Sequence, residues 1–286
     1  SSKSSKLIHG GIRYLQQGHF KLVLEACQER YWLTKLAPHL VTPIPFLVPT
    51  FKKGGFSKIT LWLGLVFYHL LSWGHHIGSF QFLNTATTRA FEPQLKQDTL
   101  TGSALYYDAQ MNDARLCIET LLDARDHGFS LKNYTAVTNI SRNDAQQYCL
   151  DLEDAISGTR HRITADLVIN ATGPWSDLTQ NLRRPHQPRL SPSKGTHIVL
   201  PPITKTHALL LHTPSDQRVF FIIPWGQYSL VGTTETPETN HPDNVHVTKE
   251  DCQYLLEAVN HHFPHLYFTS EDIVSTFSGQ IGRAHV

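Results

Sequence analysis

The chain has 286 residues, of which 40% are hydrophobic and 17% charged, with a formal net charge of +1. So much apolar sequence with so little net charge excludes intrinsic disorder, and the length predicts one large or two ordinary domains. Lys plus Arg number 25 against 24 Asp plus Glu, without the basic excess of a nucleic-acid binder.

Cys27, Cys117, Cys149 and Cys252 are far apart and form no CxxC pair, so they read as reduced thiols and not as a disulfide framework or zinc site. The polar opening SSKSSKLIHGG shows no secretory signal and does not begin with Met. The longest apolar run, 59–71, is shorter than the roughly 20 residues a spanning helix needs. At the other end, IGRAHV can be back-translated into the start of a common sequencing adapter. Residues 280–286 are therefore read as a non-native tail, the alternative being a short genuine segment.

Residues 20–37 place Leu22, Ala26, Trp32 and Leu36 near helical spacing, with Pro38 ending the helix. Three prolines in 41–50 forbid a helix and predict an extended or edge strand. In 59–71, Ile59, Trp62, Leu63, Val66, Phe67 and Leu70 form one apolar stripe, and Leu61, Leu65 and Tyr68 a second. Lys52, Lys53 and Lys58 precede this helix. Another helix is predicted from Asp113 to His127, capped by Gly128. TAVTNI and QQYCLDL read as strands, and a turn at 156–158 leads to RHRITADLVINATG. Within it, 165–170 has the continuous apolar pattern of a buried parallel strand feeding a glycine turn. From Thr196 onward, HIVLP, HALLLH, RVFFIIPW and YSLVGTTE predict an antiparallel sheet. A last helix over 249–261 starts with a capping box of Thr248 and Asp251. Together these elements argue α/β.

Four segments could carry chemistry. The opening hydroxyls, lysines and Gly10-Gly11 suit a pyrophosphate, or are simply a serine-rich end. Arg13 offers a planar fork for phosphate or carboxylate, or is a solvated surface residue. Asn170–Trp175 follows the expected buried strand, where α/β sheets bind ligands, and is equally readable as an ordinary turn. His197, in Lys194-Gly195-Thr196-His197, could be a general base, although most of the 18 histidines must be structural. His261, His262 and His265 lack a carboxylate at metal-supporting spacing. The chain contains no GxGxxG, P-loop or GxSxG.

Taken in order, SSKSSKLIHGGIRYL, DARL at 113–116, VINATGPWSD at 168–177, KGTHIVLP at 194–201 and VFFIIPWGQYSLVGTTE at 219–235 resemble the FAD-dependent, respiratory glycerol-3-phosphate dehydrogenases, of D-amino-acid-oxidase-like fold. The resemblance runs to Gly279, after which the family continues with an Arg-Pro-Leu-like segment where this chain has Gln280-Ile281-Gly282.

The resemblance implies a mixed α/β (α+β) fold, in which a Rossmann-like FAD-binding domain (1–40 and 111–183) is interleaved with a largely antiparallel substrate domain (41–110 and 184–279). The family's GxGxxG turn would lie before Ser1, so these 286 residues read as an internal fragment expected to bind FAD poorly by themselves. Carried over, Ser4, Ser5, Lys6, His9, Gly10 and Gly11 match the segment along the flavin. Val137 matches the adenine side, and Ala171, Thr172 and Gly173 the ADP moiety. Arg13 and Tyr14 match substrate-pocket positions, with Arg13 a phosphate or polyol anchor, and His197 a pocket histidine near the flavin ring. The implied reaction is oxidation of sn-glycerol 3-phosphate to dihydroxyacetone phosphate, with electrons passed to a quinone. The implied setting is cytoplasmic, peripherally attached to the inner membrane through 59–71 and its lysines, with a homodimer possible and no nucleic-acid partner. Rivals are oxidation of an amine or 2-hydroxy acid on the same fold, or an inactive fragment.

Overall fold

The computed structural model describes residues 3–15, 18–185 and 187–284, apart from the side chains of Arg13 and 282–284. The chain opens with β1 (Leu7–Ile8), α1 (Ile12–Leu15), α2 (Phe20–Leu36), β2 (Val41–Phe51) and α3 (Lys58–Leu71). It continues through β3 (Gln81–Leu83), α4 (Thr85–Phe91), β4 (Leu100–Met111) and α5 (Asp113–Asp126). Next come β5 (Thr135–Arg142), β6 (Tyr148–Asp154), β7 (Arg160–Ala165), α6 (Ser176–Asn181) and β8 (Leu190–Leu200). The last elements are β9 (Ala208–His212), β10 (Val219–Trp225), β11 (Tyr228–Gly232), β12 (Thr236–Pro237), α7 (Lys249–His262) and β13 (Ser275–Ala284). The chain divides into two compact units, the first 1–118, 196–234 and 246–278, the second 119–195, 235–245 and 279–286.

The first unit is built on a mixed sheet ordered β1-β4-β2-β9-β10-β11-β8, with β3 beside β4. Every pairing along it is antiparallel except β2 with β9, in line with the expected sheet. Alternate residues split the core between its faces. Leu47, Leu209, Leu211, Phe220 and Ile222 pack with Leu255, Leu256, Val259 and Phe263 of α7. Phe46, Val48, Tyr106, Leu210 and Leu230 pack with Val23 and Cys27 of α2 and with Leu61, Leu65 and Tyr68 of α3. Burying each such large apolar side chain contributes about 1.5–3 kcal/mol. The Thr248–Asp251 capping box is present at the start of α7.

The proline strand β2 lies inside the sheet, not at its edge. Pro43, Pro45 and Pro49 share one parity, and β9 pairs only with Phe46 and Leu47. The missing N–H groups therefore fall on the side where β2 is largely unpaired, while β4 pairs along its whole length. In α2 the buried face is Val23, Cys27 and Arg30. Leu22, Trp32 and Leu36 of the expected stripe are 45%, 52% and 77% exposed. In α3 the narrower stripe is the buried one.

The second unit contains the antiparallel sheet β5-β6-β7. Ile140, Leu150 and Leu152 are buried on one of its faces and Cys149 on the other. Asp151 accepts from Arg162 on the neighbouring strand and from Asn139, and these donors hold its carboxyl near 2. β12 pairs with Ser193 and Lys194 of β8. Gln280 donates to the backbone carbonyls of Glu238 and Asn240.

The expected buried strand at 165–170 is absent. β7 ends at Ala165, 167–170 has no regular structure, and Leu167 and Ile169 are 73% and 80% exposed. A parallel strand is buried only where neighbours flank it on both sides, and no strand among the described residues pairs with this stretch.

Candidate functional site

The serine-rich opening is fixed by its side chains. Lys6 adopts the left-handed backbone region, with φ +57°, which costs a non-glycine residue about 1–2 kcal/mol. It is held there from both ends. Its carbonyl accepts from Met111 N, its own N–H donates to Ser4 Oγ at 3.1 Å, and its ammonium reaches both oxygens of Asp113 at 2.9 Å. Ser4 Oγ donates to Asp113 Oδ2 at 2.7 Å. Burial alone would raise the Asp113 pKa, but the Ser4 and Lys6 hydrogen bonds and the Lys6 charge bring it below the ordinary value.

Between the tied residues, Ser5 Oγ lies 2.9 Å from His197 Nε2, bridging 192 residues of sequence. His197 stands on β8 and is 5% exposed. Phe277 stacks on its ring at 4.9 Å between centroids, and the Lys6 ammonium sits 5.7 Å from the Phe277 ring. Burial, with the Lys6 charge adding to it, pushes His197 down to about 4, so it is neutral at physiological pH. Its Nδ1 is buried without a hydrogen-bond partner among the described residues. A buried polar atom left unpaired is costly, and a ligand group with a donor or acceptor would satisfy it.

The glycine pair is fixed by a second cluster. Gly10 N–H donates to Asp108 Oδ1 at 3.0 Å, Tyr68 donates to the same oxygen at 2.9 Å, and Arg30 pairs with it. Arg30 and Asp108 side chains are each 2% exposed. A Cβ at Gly10 would meet the Tyr68 hydroxyl at 2.1 Å and Cys27 Sγ at 2.6 Å, so only glycine fits. Gly11 has φ +75°, the region glycine enters at little cost, and the Tyr14 ring lies over it. Arg13 belongs to α1, but its side chain lies outside the described residues. His9 is exposed.

The structure thus brings together Ser4, Ser5, Lys6 and His197 in the first unit, and sets Gly10 and Gly11 on their own buried anchor. Val137 is half-buried on β5 of the second unit. Ala171, Thr172 and Gly173 are exposed there, and a Cβ on Gly173 would meet nothing within 4 Å, so this turn is open to close approach. Sequence reasoning gave no role to Asp113, Asp108, Arg30, Phe277 or Gly232. Two left a signal: Arg30 continues the Val23–Cys27 spacing, and Asp108 interrupts the run Tyr106-Tyr107-Asp108-Ala109. A wide cavity of about 690 Å³, lined by Arg89, Lys96, Asp98 and His265 among others, contains none of the expected site residues. No group of three metal-ligating side chains occurs among the described residues.

Residues 1–284 match the family model described as FAD dependent oxidoreductase. The aerobic glycerol-3-phosphate dehydrogenase of Staphylococcus haemolyticus is 36% identical over 285 residues, covering 98% of this chain and 51% of that protein. The alpha-glycerophosphate oxidase of Enterococcus casseliflavus is 33% identical over 296 residues, covering 98% and 47%. The crystal structure of the glycerol-3-phosphate dehydrogenase from Bacillus halodurans complexed with FAD aligns with a TM-score of 0.79 at 29% identity, over 99% of this chain and 49% of that one. The chain spans about half the length of the relatives it matches. With nearly every residue inside one family model, the chain belongs to the FAD-dependent oxidoreductase family.

Proposed function

We propose that this chain is part of an FAD-dependent enzyme that oxidises sn-glycerol 3-phosphate to dihydroxyacetone phosphate. The observation that carries this reading is the contact of Ser5 with His197 at 2.9 Å. It joins two segments matched in relatives, 36% and 33% identical, that are named for glycerol phosphate oxidation. FAD, when bound, supplies the two-electron acceptor. Ser4, Ser5, Lys6, His9, Gly10 and Gly11 would lie along its flavin, and Val137, Ala171, Thr172 and Gly173 are the residues proposed for its adenosine diphosphate end.

In this reading Arg13 grips the substrate phosphate through paired charge-assisted hydrogen bonds, and Tyr14 borders the pocket. His197 is neutral, so it offers a ring nitrogen to the C2 hydroxyl, orienting it and taking up its proton. The test is a screen of the FAD-loaded enzyme of which this chain is part, with glycerol 3-phosphate, amines and 2-hydroxy acids as electron donors to a dye. Turnover of glycerol 3-phosphate supports the reading, and turnover of only an amine or a 2-hydroxy acid overturns it.

The proposed acceptor is a quinone, reached at the cytoplasmic face of the inner membrane. Supporting this, Ile59, Trp62, Leu63, Phe67 and Leu70 of α3 are 41–74% exposed on one side of the helix. Phe20 extends the face, its ring 5.3 Å from that of Phe67. Lysines flank an amphipathic surface of the kind that lies in a lipid interface. No helix among the described residues is long and apolar enough to cross a membrane. A second copy of the chain is the competing occupant of this face.

A further inference from the structure

We propose that Asp113 is a positioning residue for His197: it locks the Ser4–Lys6 turn so that Ser5 holds the imidazole in one tautomer and leaves Nδ1 for a ligand. The inference rests on the reading of His197 as a substrate-facing group.

Asp113 is suited to this because its carboxylate is itself fixed. It stands at the first position of α5, where Oδ1 also accepts the N–H of Ala114 at 2.8 Å, and its side chain is 13% exposed. A carboxylate at a helix N-terminus is favoured by the helix dipole as well as by hydrogen bonds. From this base it takes Lys6 with both oxygens and Ser4 with one. Ser5 lies between two residues tied to the same carboxylate, which fixes its backbone, and its hydroxyl meets His197 Nε2 at 2.9 Å.

Other contacts hold the ring but choose no nitrogen. Phe277 covers one ring face, and Gly232 stands so close that a Cβ there would lie 2.4 Å from His197 Cδ2. Neither presents a hydrogen-bonding side chain to the imidazole. Ser5 alone among the described side chains meets a ring nitrogen of His197; with its hydroxyl accepting from Nε2–H, Nδ1 keeps its lone pair for the substrate hydroxyl. Asp113 acts on His197 only through Ser5 and through Lys6, whose ammonium it keeps above Phe277.

The test reads the ¹⁵N shifts of His197 in the histidine-labelled chain, assigned with His197→Gln. A single tautomer is expected in the unsubstituted chain. Ser5→Ala is expected to move both ring nitrogens toward a common exchanging position. Asp113→Asn should do the same, with the double variant no further displaced than Ser5→Ala alone. Asp113→Glu keeps the carboxylate and should restore part of the original pattern. Ser4→Ala removes a single hydroxyl and serves as the milder probe if Asp113→Asn does not fold. In the FAD-loaded protein Asp113→Asn should lower kcat for glycerol 3-phosphate by about 10–100-fold, the scale of a misplaced reacting group, with KM little changed. A folded Asp113→Asn or Ser4→Ala variant that keeps His197 in one tautomer overturns the proposal. If the tautomer responds but glycerol 3-phosphate reduces no form of the protein, the functional reading falls and the role of Asp113 stands.

Discussion

Gly232 on β11 and His197 on β8 are cross-strand partners, and the imidazole occupies the space where a Gly232 side chain would begin. A Cβ at 232 would meet His197 Cδ2 at 2.4 Å and Cγ at 2.8 Å, closer than atoms can approach without displacement. Gly232→Ala is therefore expected to push the ring off Phe277 and Ser5. The cost is about 1–3 kcal/mol of overpacking, read by urea denaturation, together with a change in the His197 ring signals. Unchanged stability and unchanged signals would show that the ring is not confined there.

The Arg30–Asp108 pair is buried on both sides, and Tyr68 and Gly10 share its carboxylate. Removing one partner strands the other charge, so Arg30→Met or Asp108→Asn should destabilise the chain by about 3–5 kcal/mol. Arg162 pairs with Asp151 on an exposed strand. Arg162→Ala should cost far less, because solvent screens an exposed pair. Chemical denaturation of the three variants side by side checks the contrast.

Much of this architecture is legible in the sequence because it is local. Gly128 has the positive φ of a helix cap, and the Thr248–Asp251 box closes as its spacing implies. Failures came where a segment's environment is set by distant neighbours. Leu167 and Ile169 have a buried-strand pattern but no partner strand among the described residues. Pro43, Pro45 and Pro49 read as an edge because sequence cannot show that β9 meets β2 at only two residues. Ser5 and His197 were each legible as chemistry, but their contact spans 192 positions, and only the fold supplies it.

Burial pushes His197 to about 4 and, with smaller opposing and reinforcing effects from its neighbours, His262 to about 4. Both lie below the unfolded value near 6.5. Between pH 6.5 and 4 the unfolded chain binds protons that the folded chain refuses, so stability rises with pH there and is lost as pH falls through that window. His262→Gln removes one of the two groups and should flatten the acid slope by up to about 1.4 kcal/mol per pH unit. Denaturation midpoints at several pH values check this, and an unaltered slope would contradict it.

The exposed apolar side of α3 gives a binding prediction. Sedimentation with vesicles rich in anionic lipid should recover the protein, and Leu63→Glu with Phe67→Glu should abolish recovery. Loss of a dimer in the same double variant, without any vesicle binding to begin with, would assign the face to a second copy instead.

Arg13→Ala should raise KM for glycerol 3-phosphate steeply, because each charge-assisted bond to the phosphate is worth about 1.5–3 kcal/mol. Arg13→Lys should restore only part, since an ammonium lacks the planar fork. His197→Ala should act on kcat instead, lowering it by about 10²–10⁴-fold if the imidazole takes up the hydroxyl proton. With His197 held at about 4, its protonation should reduce activity only as pH falls through that value. The most direct measurement is anaerobic stopped-flow mixing of the FAD-loaded enzyme of which this chain is part with sn-glycerol 3-phosphate, following loss of the oxidised flavin absorbance. The account predicts rapid bleaching by sn-glycerol 3-phosphate, slowed strongly by His197→Ala and requiring far more substrate in Arg13→Ala. Bleaching by an amine or 2-hydroxy acid, with none by sn-glycerol 3-phosphate, would contradict it.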